Sequence, residues 1–128
     1  MQSDPNEVVA VELSGAERDL VEAALLEWGG GAHGTEKIAQ AIGFESMHEL
    51  WRERDRILAA VRDRLPLSRA DWTRLLLATE IAFASDVVGA GVEWSIVTGY
   101  NDVESLTALR SLQRTLAPAL SRASIGWD

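Results

Sequence analysis

A chain of 128 residues, 47% apolar and 25% charged, has the length of one compact domain and can bury about two-thirds of its extended surface, enough to fold without crosslinks. It contains no Cys, which excludes disulfides, thiolate metal sites and thiol nucleophiles. Twenty acidic against twelve basic residues give a net charge of −8, and residues 1–50 carry the whole excess, with Arg18 and Lys37 as their only bases; that balance opposes polyphosphate partners.

In chain order, residues 1–12 read as an N-terminal arm, polar apart from Val8, Val9 and Val11 and either loose or laid over the core. The start MQSDPNEVV has neither the basic nor the apolar region of a secretion signal, and no apolar run reaches the length of a membrane span, so the expected location is the cytoplasm. Ser14 with Glu17 forms a capping box that opens the first helix, whose positions Leu20, Val21, Ala24, Leu25 and Trp28 share one face. Gly29, Gly30 and Gly31 end it. Thr35 caps a short helix with Ile38, Ala39 and Ile42, stopped by Gly43. Ser46 with Glu49 opens a longer amphipathic stretch through Leu50, Trp51, Ile57, Leu58, Val61 and Leu65, which Pro66 prevents from continuing.

At Ser68 and Asp71 a third Ser-x-x-acid cap appears, with Leu67 and Trp72 placed as a hydrophobic staple. The following helix, from Leu75 to Val88, is apolar nearly all round, which predicts a central helix surrounded by the others. A short segment from Val92 to Thr98 leads to a fourth cap at Asn101 and Glu104. The last helix then carries Val103, Leu106, Leu109, Leu112 and Leu116, and Pro118 closes it. The expected fold is therefore all-α: a single compact bundle of five or six helices over residues 13–117, one of them central and largely buried, with a tail at 118–128.

Residues 36–56 carry a local motif, Ile38-Ala39-x-x-Ile42-Gly43-Phe44-x-Ser46 followed by Leu50 and Arg52, that resembles the helix-turn-helix of AraC-type regulators. The resemblance implies a DNA-binding regulator with Met47, His48, Trp51 and Arg52 near a major groove. Glu45, Glu49, Glu53 and Asp55 place carboxylates on or beside that helix, and the family's second aromatic position is Arg54 here. Nucleic acid therefore ranks below a protein partner.

Candidates for chemistry are few. His33 and His48 lack a partner spaced for a shared metal, so neither metal nor cofactor is expected. Glu80, Asp86 and Glu93 lie on or after the central helix, among Trp94 and Tyr100. They must face solvent, be protonated, or pair with cations such as Arg110 and Arg114. This set forms either an ion-pair network or a polar pocket for a small molecule or an enzyme reaction. Five Trp, of which Trp94 and Trp127 have no packing role legible in the pattern, favour a protein interface. The expected function is thus a non-catalytic interaction or regulatory domain that binds a protein partner or itself as a homodimer.

Overall fold

The computed structural model describes residues 4–28, 35–84 and 101–120. Five helices account for most of them: α1 (Gly15–Glu27), α2 (Glu36–Ile42), α3 (Met47–Arg62), α4 (Arg69–Ala84) and α5 (Asp102–Leu116). Two short strands, β1 (Val8–Val9) and β2 (Leu67–Ser68), pair antiparallel, with Val8 opposite Ser68 and Val9 opposite Leu67. The strand pair is an addition to the all-helical expectation: Val8 and Val9 find an open backbone edge at Leu67 and Ser68, and the arm is laid along the body by it.

Each described helix starts where a side chain accepts the backbone amides that no helical carbonyl can reach. The Ser14 hydroxyl accepts the Glu17 amide at 3.1 Å while the Glu17 carboxylate accepts the Ser14 amide at 2.7 Å. Thr35 caps α2, and Asn101 accepts the amides of Val103 and Glu104 on α5. Ser46 caps α3 through the Glu49 amide, but the Glu49 carboxylate accepts the amide of Glu45 instead of closing the box. At α4 the first three amides are all met: Arg69 by the Glu7 carbonyl, Ala70 by the Pro5 carbonyl and Asp71 by the Ser68 hydroxyl. The staple residues Leu67 and Trp72 are both buried, and the Trp72 indole donates to the Val9 carbonyl at 2.9 Å.

α2 ends at Gly43, whose φ of 117° lets the Phe44 amide return to the Ala39 carbonyl. α3 ends three residues earlier than Pro66 would require. The Leu65 amide bonds the Ala60 carbonyl and the Arg64 amide the Val61 carbonyl, a reversal that forces Arg64 to a φ of 58°. An L side chain pays about 1 kcal/mol for that conformation, so Arg64→Gly is expected to raise stability by about 0.5–1 kcal/mol, read as a higher midpoint in urea unfolding.

α4 is the central element. It packs against α1, α2, α5 and β2, and none of its residues from 69 to 83 is exposed. Trp72, Leu75, Ala78, Thr79 and Ala82 are buried on it, and the Thr79 hydroxyl satisfies itself on the Leu75 carbonyl one turn back. Around it lie Leu20, Val21, Ala24, Leu25 and Trp28 of α1 and its end, Ala39 and Ile42 of α2, and Leu50, Ile57, Leu58 and Val61 of α3.

Two parts of the predicted core lie outside it. Trp51 and Leu65, on and just beyond α3, are 48% and 54% exposed. On α5 the buried face is Ser105, Ala108, Leu109, Leu112 and Leu116, while Val103 and Leu106 are exposed. The reason is geometric: each step of three residues falls about 60° short of a turn, so three such steps turn Val103 about 180° away from Leu112.

Candidate functional site

Of the residues singled out for chemistry, Asp86, Glu93, Trp94 and Tyr100 lie outside the described residues, as does His33. The central-helix residues 85–88 and the segment 92–98 do too. Glu80 is on α4, half-buried, and its carboxylate accepts a hydrogen bond from the Gln113 amide of α5 at 2.7 Å. Gln113 in turn accepts from the Arg110 guanidinium at 2.9 Å. Arg110 therefore reaches Glu80 through an amide relay, and Arg114 stands exposed one turn further along. The arrangement locks the register of α4 against α5.

Two other carboxylates sit deeper. Glu17 is 2% exposed, and its second carboxylate oxygen accepts the hydroxyls of Ser111 at 2.8 Å and Thr115 at 2.7 Å, both on α5. Burial pushes its pKa up, but the Ser14 amide and the Thr115 and Ser111 hydroxyls outweigh that and hold it below the usual carboxylate value. Asp71, 5% exposed, receives a bidentate fork from Arg56 of α3, both bonds at 2.9 Å, and a third bond from Arg74 at 3.2 Å. Burial again opposes ionisation there, and the two guanidiniums reverse it and depress the pKa. The carboxylate correspondingly raises the pKa of Arg56.

Arg74 extends this network to the turn between α2 and α3. Its Nε donates to the Gly43 carbonyl at 3.0 Å, and its guanidinium lies over the Phe44 ring, 5.3 Å from the centroid. A Cβ at position 43 would come within 3.2 Å of the Arg74 side chain, a tight contact that Arg74 would have to relieve, in addition to the dihedral that already favours glycine. The helix pair that resembles a helix-turn-helix is thus gripped at its turn by the central helix.

The would-be recognition residues divide. Met47 is 7% exposed and faces the core, where it cannot meet a base edge. His48, Trp51 and Arg52 are on the outer face of α3. Arg52 pairs with Glu49 and Glu53, Arg54 with Asp55, Arg56 with Glu53 and Asp71, and Arg62 with Glu22 of α1. The four arginines of α3 each stand beside a carboxylate, which is poor geometry for holding phosphate oxygens. Trp51 differs from the rest of that face: its indole N–H donates to the Trp28 carbonyl at 3.0 Å, and the Trp28 indole donates to the Ala78 carbonyl of α4 at 3.1 Å.

α1 and α5 bound an open cleft of about 130 Å³, with Leu20 and Ala108 in its floor and Asp19 and Glu104 at its rim. Among the described residues no group of three or more His, Asp or Glu is placed to hold a metal ion, and no helix is long and apolar enough to cross a membrane. No protein-family model, curated protein or solved structure matches the chain.

The sequence marks Glu17 as a cap residue, and Asp71 as a cap residue lying among the arginines between Arg52 and Arg74. The missing signal for Glu17 was long-range, since its α5 partners are 94 and 98 residues away. For Asp71 the i,i+3 spacing to Arg74 was available, whereas the Arg56 fork depends on how α3 meets α4.

Proposed function

We propose that this chain is a non-catalytic protein-interaction domain that self-associates, with the outer face of α3 around Trp51 as its contact surface. The observation that carries the reading is an aromatic side chain 48% exposed whose polar atom is already tied to the body. Such a group offers about 100 Å² of apolar surface, worth about 2–3 kcal/mol on burial, with its rotamer entropy lost before any partner arrives. His48, Arg52 and Asp55 stand around it as a polar rim of both signs, which suits pairing with a second copy of the same face. The described interior carboxylates support the same reading, because Glu17, Asp71 and Glu80 are each engaged in holding helices together.

Sedimentation of the purified chain over a concentration series tests this. The expected result is a monomer–dimer equilibrium that Trp51→Ala weakens at least tenfold, with helix content unchanged by circular dichroism. A chain that stays monomeric up to about 1 mM, where about −4 kcal/mol would still hold a pair, contradicts self-association. Dimerisation unaffected by Trp51→Ala contradicts the assignment of the face. Retention on duplex DNA at moderate salt, lost in Arg52→Ala, would instead support the regulator implied by the helix-turn-helix resemblance.

A further inference from the structure

Arg52, Arg54, Arg56, Arg62, Arg69 and Arg74 each stand beside a carboxylate. Arg18 and Arg64 make no ion pair among the described residues, yet the fold brings them to one groove, from the first turn of α1 and from the exit of α3. Both are held in place. Arg18 is half-buried, and its Nη1 donates to the Leu13 carbonyl at 2.8 Å, which fixes the guanidinium and leaves its remaining donors free. Arg64 takes its φ of 58° in the reversal that ends α3, a position where glycine would fit without strain. Backbone strain of this kind collects at ligand sites, where the position of a side chain matters more than stability. The same groove is lined by Val11, by Leu65, which is 54% exposed, and by the buried Trp72.

We propose that this groove binds a small organic carboxylate, its oxygens on the Arg18 and Arg64 guanidiniums and its apolar body over Leu65 and Val11. A guanidinium matches the edge of a carboxylate in both shape and charge, and bonds between the two are of the strong, charge-assisted kind. Two like charges facing one groove with no internal counterion make an anion the complementary occupant. Glu12 on the rim and a net charge of −8 favour a monoanion over a dianion, since each added negative charge on the ligand is repelled by both. The exposed Leu65 selects for an acid with an apolar body, because that surface leaves water only if the ligand covers it. Arg64 is itself exposed, so its bond to the ligand competes with water and the dissociation constant is about 1 mM. The groove lies about 20 Å along α3 from Trp51, and the proposal does not depend on self-association.

Titration of the isotope-labelled chain with sodium benzoate at constant ionic strength, followed by nuclear magnetic resonance, tests this. The expected result is saturable shifts of the Val11, Arg64 and Leu65 amides, half-complete at about 1 mM, that benzyl alcohol does not reproduce. Arg64→Gly relieves the left-handed φ and so keeps the fold, and a loss of affinity of at least tenfold in that variant reports the missing guanidinium. Arg18→Gln is expected to weaken binding to a similar degree. Shifts that rise linearly with benzoate up to about 20 mM, or affinity undiminished in Arg64→Gly, overturn the site. Equal shifts from benzyl alcohol overturn the role of the carboxylate, and tighter binding of inorganic phosphate overturns the choice of an apolar monoanion.

Discussion

Glu17→Ala is expected to lower the free energy of unfolding by about 3 kcal/mol at pH 7, the largest effect of any polar substitution among the described residues. The carboxylate returns the cap of α1, worth about 1 kcal/mol, and accepts two buried hydroxyls from α5, each a charge-assisted bond of about 1.5–3 kcal/mol. The loss falls short of that sum for two reasons. The Ser111 and Thr115 hydroxyls can turn back to carbonyls of their own helix, and a desolvated charge is removed along with its bonds. Glu17→Gln keeps the shape and one acceptor, so it is expected to cost only about 1 kcal/mol. Because the folded pKa of Glu17 lies below its ordinary 4.5, the stabilisation is complete above that pH and disappears as the pH falls through the folded value. Urea unfolding of wild type and Glu17→Ala should therefore converge on acidification below about pH 4.5, and a gap that widened there would contradict this account.

Asp71→Ala is expected to cost about 2–3 kcal/mol. Breaking a buried ion pair costs about 3–5 kcal/mol when the remaining charge is trapped. Here the Arg56 side chain is 49% exposed and can rehydrate, which brings the figure down. Arg74, 29% exposed, loses one of its anchors and holds the Gly43–Phe44 turn less firmly. The consequence should reach beyond α4, to faster amide exchange in α2 and the start of α3. A double-mutant cycle of Asp71→Ala with Arg56→Ala should return a coupling of about 1–3 kcal/mol. Additive effects would show that the fork contributes nothing as a pair. Asp71 follows the same acid dependence as Glu17: its depressed pKa supplies stability above about pH 3.8 that is lost below it.

Local physics made the helix starts legible. Ser14, Thr35, Ser46, Ser68 and Asn101 each cap the helix that the sequence places after them, since a cap depends on residues only three apart. The apolar run of α4 likewise announced a helix with no solvent face. What could not be read depends on how distant elements meet. Glu80 takes the Gln113 amide of α5 as its partner, which the alternatives of solvent, proton or cation did not include, because that pairing is set by the α4–α5 register. Leu residues spaced by three on α5 resembled a face, while the true face includes the small Ser105 and Ala108, which pack closely but carry no hydrophobic signal. Trp51 looked like core by its period, and its exposure follows from α3 presenting only part of its apolar surface to the other helices.

Native-state hydrogen exchange of the α4 amides shows whether this helix is enclosed by its neighbours and holds the bundle together. In an enclosed α4 the amides of Leu76 to Ala82 exchange only through global unfolding, with protection that falls in step with overall stability in Asp71→Ala and Glu17→Ala. Exchange of those amides as fast as that of the outward-facing first turns of α5 would contradict it.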